Sequence, residues 1–376
     1  MQKAPTESTD AKDTPLFEAV FQRISNSEDL SIPFSDYMRE ILYHEEGGYY
    51  SRLDENRIGR EGDFYTSVTV GETFGFLLAQ QIVTEWSARF DKPESFVIVE
   101  QGAHDGTLAL DVVRGIQEIS PELFDSFLYR IIEPRKKHRE WLEKRLSTEA
   151  GAEKIQIVPD VAGAKAPEGI FLCNELLDAF PFDCFEMQKG EWREKRVAID
   201  QDRFAWKVGE ANSDFENFIK RWQSEYPEGY TTEFCTELEP WMDEISTLFQ
   251  KGLWWIIDYG YEGGDYYAPS RTTGTMRCYR RHQATEDPFK SPGEIDITAH
   301  VDFTRLGEVA EEHSLSVETF TDQHHFLIEA SKPWLLGLEG QAPDARAAKR
   351  LRQFQTLTHP SIMGQQFKVM VLSKGG

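Results

Sequence analysis

One segment, at residues 96–113, has the residue types and the spacing of a nucleoside-binding turn. Its apolar stretch ends at Glu100. Gly102 and Ala103 come next, and Gly106 opens a second apolar stretch with helical periodicity. Glycine lets the backbone approach a ligand without a Cβ clash, and the amino-terminal end of a helix offers unpaired N–H groups. The spacing Glu-x-Gly-x-x-x-Gly therefore predicts a strand, a turn and a helix that hold a nucleoside cofactor.

The composition of this turn favours a sulfonium nucleoside over a dinucleotide. The dinucleotide fingerprint Gly-x-Gly-x-x-Gly is absent, because His104 stands at the second glycine position and Asp105 follows it. An acidic side chain would repel a pyrophosphate, whereas adenosine linked to a sulfonium amino acid tolerates it and gains from Glu100 near its cationic end. We therefore expect S-adenosylmethionine as the cofactor, and a nicotinamide-dependent dehydrogenase is the weakest alternative.

Polar side chains also follow the next three apolar stretches. Glu133 ends the second stretch, where a carboxylate can accept hydrogen bonds from both hydroxyls of a ribose. Asp160 and Val161 follow the third stretch, where Asp160 either hydrogen-bonds an adenine amino group or caps a surface turn. Asn174 follows the fourth stretch and offers an amide oxygen. We expect these residues to complete the cofactor site.

A methyl acceptor would lie beside a second group of strand-end residues. Glu175 and Asp178 directly follow the fourth stretch, and Asp258 and Tyr259 end the fifth. Methyl transfer is an in-line displacement, so the enzyme mainly has to align the reacting groups in a water-poor channel. An arginine acceptor stays protonated at ordinary pH, and paired carboxylates can hold its fork and stabilise the cation as the proton leaves. These four residues are therefore the candidates for the acceptor side.

Short apolar strands that alternate with amphipathic helices must position these residues. The pattern predicts strands at 96–101, 128–133, 155–159, 169–174 and 252–260, with further strands near residues 314–323 and 366–373. Such alternation is typical of an α/β fold, here a doubly wound, Rossmann-like sheet that ends in an antiparallel edge strand. A β meander followed by two helical stretches is expected between residues 183 and 250.

The same patterns divide the chain into four parts. Residues 1–15 are expected to be a disordered tail, and residues 16–95 a helical subdomain with a long polar loop. The sheet core comprises 96–182 and 251–376, and 183–250 is an insertion on the substrate side.

Composition narrows the choice of partners. The net charge of −24 would repel a nucleic acid, and the amino terminus has no apolar run that predicts a secretory signal or a membrane anchor. The four cysteines form no Cys-x-x-Cys pair, so no metal site is indicated. We expect a cytoplasmic protein that binds neither nucleic acid nor membrane, and the sequence carries nothing that predicts an oligomer.

Six blocks in collinear order resemble the MidA-like methyltransferases, a family that includes a mitochondrial complex I assembly factor with protein arginine methyltransferase activity. The resemblance extends over residues 34–372. The blocks are GDFYTS (62–67), NELLDAFP (174–181), IDYGY (257–261), GTMRCYRRH (274–282), DPFKSPGEIDITAHVDF (287–303) and HPSIMGQQFKV (359–369).

This resemblance implies a seven-stranded methyltransferase fold, S-adenosylmethionine as donor and arginine in a partner protein as acceptor. It also implies that Asp63, Thr66 and Ser67 belong to a lid over the methionine end of the cofactor. The family usually has Gly-Pro-Gly or Gly-Ala-Gly after the first strand, where this chain has His104 in the third position. The imidazole could narrow the cofactor groove. A small-molecule methyltransferase and a methyltransferase-like assembly factor with little or no turnover therefore stay open.

Overall fold

The structure of the protein is a computed structural model that describes residues 14–52, 66–223, 225–280, 283–285, 287–340 and 342–375. The chain forms two compact units, each assembled from separated segments. The first unit comprises Met1–Arg57, Ala179–Glu237 and Gly263–Ala299, and the second comprises Ile58–Asp178, Leu238–Glu262 and His300–Gly376.

The strands of the described residues are, in chain order, β1 Ser31–Ile32, β2 Phe96–Gln101, β3 Phe127–Ile132, β4 Ile155–Val158, β5 Ala166–Asn174, β6 Phe182–Gln188, β7 Glu191–Asp200, β8 Arg203–Glu210, β9 Thr231–Cys235, β10 Phe249–Tyr261, β11 Arg277–Arg280, β12 Gln283–Thr285, β13 Asp296–Thr298, β14 Val301–Asp302, β15 Ser316–Asp322 and β16 Phe367–Lys374.

The helices of the same residues are α1 Pro15–Asn26, α2 Phe34–Tyr43, α3 Ser67–Val70, α4 Thr73–Ala88, α5 Thr107–Ile119, α6 Pro121–Ser126, α7 Lys136–Leu146, α8 Val161–Ala164, α9 Ser213–Ile219, α10 Leu238–Ile245, α11 Gly263–Tyr266, α12 Phe303–Glu312, α13 Gln323–Gly337 and α14 Ala345–Thr358. A 3₁₀ turn at Leu177–Ala179 follows β5. No helix in this described part of the chain is long and apolar enough to cross a bilayer.

The second unit is built on one large sheet with the order β15-β16-β10-β5-β2-β3-β4, and the short β14 pairs with the end of β10. Within this sheet β10, β5, β2, β3 and β4 run parallel, while β16 is antiparallel to both of its neighbours. Central strands are buried on both faces, as the apolar run of β2 requires. The predicted seven-stranded α/β sheet is therefore confirmed.

The antiparallel strand does not lie where the sequence predicted it. We expected it at the edge of the sheet, but β16 lies between β10 and β15, and β15 forms the edge. The chain reaches this edge first with β15 and then returns through α13 and α14, so the last strand fills the gap beside β10. Hydropathy, which identifies strands but not their neighbours, does not report this order.

The core of the second unit consists of helices packed on the sheet. Leu77 and Ile82 of α4 and Val112 of α5 are fully buried in one cluster with Phe96 and Ile98 of β2. Burial of each such side chain stabilises the fold by about 1.5–3 kcal/mol relative to its exposure. This packing fixes α5, and with it the turn that precedes α5, against the centre of the sheet.

The first unit contains a five-stranded antiparallel sheet, a separate three-stranded sheet and helices that include α1 and α2. Its core joins apolar side chains of α1 and α2, such as Val20 and Ile41, to Val197 of β7. The strand β9 was not expected, because the sequence between residues 211 and 250 was interpreted as helical. The unit boundaries also differ from the expected divisions: α1 and α2 belong to the first unit, whereas α4 and the segment 238–250 belong to the second.

Candidate functional site

The carboxyl ends of four neighbouring parallel strands meet at one edge of the large sheet. In the register of these strands, Gln101 of β2 lies opposite Ile132 of β3 and Cys173 of β5, and Asn174 lies opposite Ile257 of β10. The chain leaves β2 for β3 on one side and β5 occupies the other side, so this edge is a topological switch point. Ligands of open α/β sheets bind at such points.

The backbone of the turn after β2 has the predicted conformation. Gly102 and Gly106 have φ angles of 83° and 75°, and Gly106 immediately precedes the first residue of α5. A Cβ on Gly102 would lie 3.1 Å from Leu176 Cδ1. His104 also has a positive φ, 46°, which is uncommon for a side chain other than glycine. The turn therefore brings bare backbone to the edge of the sheet, with one strained residue in it.

Glu100 lies beneath this turn and is almost completely buried. The Tyr129 hydroxyl donates a hydrogen bond to its Oε2 at 2.8 Å. Burial raises the pKa of Glu100 to about 8, although the bond from Tyr129 works in the other direction. At pH 7 the group is therefore mainly a neutral acid, whereas the sequence suggested a negative charge near the cationic end of the cofactor.

Asp105 and Arg145 hold the start of α5. Asp105 accepts the backbone amide of Thr107 at 3.0 Å and the Arg145 guanidinium at 2.6 Å. Burial opposes ionisation of Asp105, but the neighbouring His104 and Thr107 lower its pKa. The His104 ring is half-exposed, with Nδ1 3.9 Å from Asp105 Oδ1. The acidic residue that was predicted to repel a pyrophosphate is thus paired within the turn.

Glu133, immediately after β3, is buried, and both of its carboxylate oxygens contact neighbouring donors. Arg135 donates from Nε to Oε1 and from a terminal nitrogen to Oε2, both at 2.9 Å, and its backbone amide also donates to Oε1. His138 Nδ1 lies 3.1 Å from Oε2. Burial favours the neutral acid, but bonds from His138 and Arg135 lower the pKa of Glu133 to about 2. Glu133 is therefore an ionised, oriented acceptor.

Asp160 and Val161 follow β4 at the far edge of the sheet. The Asp160 carboxylate accepts the Gly163 amide at 2.8 Å, which makes it the amino-terminal cap of α8. Val161 is the first residue of α8 and is half-buried. The capping interpretation of Asp160 is thus observed, and its free lone pairs still allow an adenine contact.

Asn174 and Glu175 end β5 as a pair. Asn174 Nδ2 donates to Glu175 Oε1 at 3.0 Å, while Asn174 Oδ1 is buried and has no hydrogen-bond partner among the described residues. The Ser67 backbone amide lies near the Glu175 carboxylate. Burial and then the charge of Asp178 raise the pKa of Glu175 to about 8. An unsatisfied buried amide oxygen is costly, so this position suits a ligand with a donor.

Asp258 and Tyr259, near the end of β10, contact the turn that carries Asp178. Asp258 Oδ2 accepts the amides of Leu177 and Asp178 at 3.0 and 3.2 Å, and its Oδ1 accepts the Tyr259 amide at 2.8 Å. The Tyr259 hydroxyl donates to Asp178 Oδ2. Burial and the neighbouring charges of Asp178 and Glu175 raise the pKa of Asp258 well above its usual range. All four predicted acceptor-side residues therefore lie together.

The predicted lid residues behave differently from one another. Asp63 lies outside the described residues. The Thr66 hydroxyl accepts the Thr69 amide at 3.3 Å and caps α3, so it is used locally. The buried Ser67 hydroxyl donates to Gln323 Oε1 at 2.9 Å, and this bond fixes the segment whose backbone reaches Glu175. Ser67 is thus the lid residue that the structure brings to the strand ends.

Several polar residues of this region were not found from the sequence. Tyr129 bonds to Glu100, Gln323 to Ser67, and Arg135 and His138 to Glu133. The only available signal was the short separation of Arg135 and His138 from Glu133, since the other contacts need the pairing of strands or the return of α13. The described residues contain no cluster of His, Cys, Asp or Glu that could hold a metal ion.

Comparison with known proteins decides the family. The model of a family described as candidate S-adenosyl-L-methionine-dependent methyltransferases matches residues 77–321, which include all the strand ends described above. The chain belongs to this family. Methyltransferase activity and the use of S-adenosylmethionine, both predicted from the sequence, are thereby confirmed.

Relatives and solved structures agree with this assignment of a methyltransferase. The mitochondrial protein arginine methyltransferase NDUFAF7 of Mus musculus is 28% identical, with 98% of this chain and 86% of the relative covered. Its homolog in Drosophila melanogaster is also 28% identical, over 92% and 82% of the two chains. A candidate methyl transferase from Burkholderia thailandensis, crystallised with S-adenosyl-homocysteine, has a TM-score of 0.86 at 27% identity. The superposition covers 99% of the present chain and 95% of the Burkholderia chain.

These comparisons correct one prediction about the methyltransferase. We expected a cytoplasmic protein, but the relatives are named mitochondrial proteins, which contradicts that expectation. The prediction was wrong because it rested on net charge and on the composition of the first residues. Net charge reports solubility and non-specific binding, and it does not identify a compartment.

Proposed function

We propose that this methyltransferase transfers a methyl group from S-adenosylmethionine to arginine in a partner protein. Two relatives that are named protein arginine methyltransferases align with more than nine-tenths of the chain. The observation that carries the proposal is the group of three carboxylates, Glu175, Asp178 and Asp258, at the ends of β5 and β10.

The electrostatics of this group suit a permanent cation. Asp178 raises the pKa of Glu175, and both raise that of Asp258, so each negative charge is unfavourable to the others. A guanidinium stays protonated at any ordinary pH and presents donors in a planar fork that matches carboxylates. Binding of an arginine would therefore relieve the repulsion and favour the ionised forms of Glu175 and Asp178.

Each residue of this group would have a separate task. Asp178 and Glu175 would hold the guanidinium and accept the proton that the nitrogen loses when its bond to the methyl carbon forms. The Tyr259 hydroxyl orients the Asp178 carboxylate by its hydrogen bond. Asp258, through the two amides of the 177–179 turn, keeps Asp178 in place and is a positioning residue.

The cofactor would be held on the other side of β5. We propose that Gly102, Ala103 and Gly106 approach its nucleoside through their backbone, that Glu133 accepts ribose hydroxyls and that Asp160 and Val161 lie near the base. Glu100 supports the turn from beneath. When bound, S-adenosylmethionine supplies an activated methyl group on a sulfonium.

The methionine end would be bound near Asn174. Its Oδ1, which has no hydrogen-bond partner among the described residues, can accept a hydrogen bond from the ammonium of the donor, which would satisfy the buried oxygen. Ser67 and Thr66, on the segment before α4, would close this end, and Asp63 belongs to the same proposal.

The experiment combines purified enzyme, donor with a labelled methyl group and a protein lysate. Labelled protein is hydrolysed, and the amino acids are separated. We expect label in methylated arginine, and less than about a tenth of it with the Glu175→Gln variant. Label that appears only in the small-molecule filtrate would show that the acceptor is a small molecule and not arginine in a protein. No transfer to either fraction, with S-adenosyl-homocysteine still bound, would indicate an assembly factor without turnover.

A further inference from the structure

A buried histidine links the cofactor turn to the carboxylate proposed for the ribose. His138, on α7, has only 7% of its surface exposed. Its Nε2 lies 3.0 Å from the backbone oxygen of His104, and its Nδ1 lies 2.7 Å from a terminal nitrogen of Arg135 and 3.1 Å from Glu133 Oε2. One ring therefore contacts two segments that follow different strands, β2 and β3.

The chemistry of these partners fixes the role of one ring nitrogen and limits the other to two partners. The His104 carbonyl oxygen can only accept, so Nε2 must carry a proton and donate to it. Nδ1 faces Arg135, which can only donate, and Glu133 Oε2, which can only accept, so it accepts from Arg135 when it carries no proton and donates to Glu133 when it carries one. The same Arg135 nitrogen donates to Glu133 Oε2 at 2.9 Å. In either state, a continuous chain of hydrogen bonds extends from His104 through His138 to Glu133, directly or through Arg135.

This chain begins at the strained residue of the turn. His104 has a φ of 46°, a conformation that costs a residue other than glycine about 1–2 kcal/mol and persists only where its surroundings hold it. The bond from His138 to the His104 carbonyl provides such a hold on the backbone itself. The His104 side chain is meanwhile directed to Asp105, 3.9 Å away.

We propose that His138 is a positioning residue that sets the distance between the cofactor turn and Glu133, and so the affinity for the nucleoside. The nucleoside contacts backbone on one side and the ribose acceptor on the other, and a rigid link between the two sides avoids the entropy of ordering them on binding. The inference rests on the proposed role of Glu133 as the ribose acceptor. Arg135 belongs to the same link because it holds both oxygens of Glu133.

The test is calorimetric titration of S-adenosyl-homocysteine into the full chain. His138→Leu removes the contacts of both ring nitrogens and introduces an apolar side chain of similar volume, and we expect the loss of these hydrogen bonds to raise Kd about tenfold. His138→Gln can keep a donor near the position of Nε2, and its Kd should stay within about threefold of the wild type. His138→Asn is too short to reach His104, so it should behave like Leu.

His313→Leu is the matched control. His313 also bonds a backbone oxygen, that of Val309 at 2.8 Å, but this bond lies within α12. The control should leave Kd unchanged, even if it lowers the free energy of unfolding. Rescue by Gln and loss with Asn would distinguish the bond to His104 from simple packing, and they also serve if the Leu variant fails to fold.

A double variant separates this inference from the role of Glu133. Glu133→Gln should weaken binding, and the loss with Glu133→Gln and His138→Leu together should be smaller than the product of the two single losses. If Glu133→Gln has no effect, the ribose role is wrong and the inference falls with it. If Glu133→Gln weakens binding while His138→Leu does not, or the two losses multiply, the inference about His138 alone is overturned.

Discussion

The Asp258 carboxylate accepts the backbone amide of Asp178 at 3.2 Å, although both residues are acids with buried side chains. The bond joins the end of β10 to the turn after β5, which are neighbours in the sheet but 80 residues apart in the chain. Two amide donors and the Tyr259 amide offset the cost of burying a third carboxylate here. A positioning role for Asp258 follows from this geometry.

Asp258→Asn should impair both folding and transfer. Asparagine has one oxygen in place of two, so its amide group would face a backbone N–H, and the free energy of unfolding should fall by about 1–3 kcal/mol. The turnover of labelled donor should fall as well, because the turn at Asp178 is no longer held. Urea denaturation and transfer assays measure the two effects. Asp344→Asn, at an exposed helix cap, should change neither. An unaltered transfer rate with Asp258→Asn would contradict the role.

Tyr259→Phe removes only the hydroxyl that donates to Asp178. The ring can keep its contacts with Phe367 and His300, so the fold should persist. Loss of a hydrogen bond to a charged group predicts a decrease of about 10-fold to 100-fold in the transfer rate to lysate protein. The Kd of S-adenosyl-homocysteine should not change. Tyr266→Phe, whose hydroxyl bonds Glu233 in the other unit, is the control. An equal loss in both variants would refute a specific role.

Two substitutions at His104 test the strain in the cofactor turn. Glycine adopts a φ of 46° without cost, whereas a β-branched residue does so poorly. His104→Gly should keep the free energy of unfolding within about 1 kcal/mol of the wild type, and His104→Val should lose about 1–2 kcal/mol more. Chemical denaturation measures both values. If His104→Gly destabilises the fold as much as His104→Val, the contribution of residue 104 to stability comes from its side chain and not from its backbone conformation.

Glu100 predicts a specific dependence of stability on pH. Its pKa rises from about 4.5 to about 8 on folding, so between these pH values the folded chain binds a proton that the unfolded chain has lost. The free energy of unfolding therefore falls as pH rises through this window, by about 1.4 kcal/mol per pH unit for this one group. Glu100→Gln keeps an acceptor for Tyr129 and should remove that part of the slope. The exposed Glu94→Gln variant is the control. An unchanged slope in Glu100→Gln would show that Glu100 is ionised at neutral pH.

Hydropathy was a good predictor of the strands that end at the site, because each of them is an apolar run of the right length. The bounds of β2, residues 96–101, were predicted without error, and those of β3 differ by one residue. It could not predict β9, a five-residue strand between helices, or the position of β16. Strand order and short pairing strands depend on contacts between distant parts of the chain.

The same distinction applies to the site. Glu175, Asp178, Asp258 and Tyr259 could be predicted to lie close together because parallel strands end at one edge of a sheet. The protonation of Glu100 could not be predicted from the sequence, since it depends on burial that only the packed structure defines. Likewise, the bond from Gln323 to Ser67 spans 256 residues and has no local signal.

Cofactor binding and methyl transfer, measured together in Glu175→Gln, test the proposed division of the site most directly. The proposed cofactor site is the turn after β2 and the proposed acceptor site is the group of carboxylates after β5, so the two properties should separate. We predict a Kd for S-adenosyl-homocysteine within about threefold of the wild type and a transfer rate lowered by about 100-fold. Full transfer activity in Glu175→Gln, or a loss of cofactor affinity as large as the loss of transfer, would contradict the account.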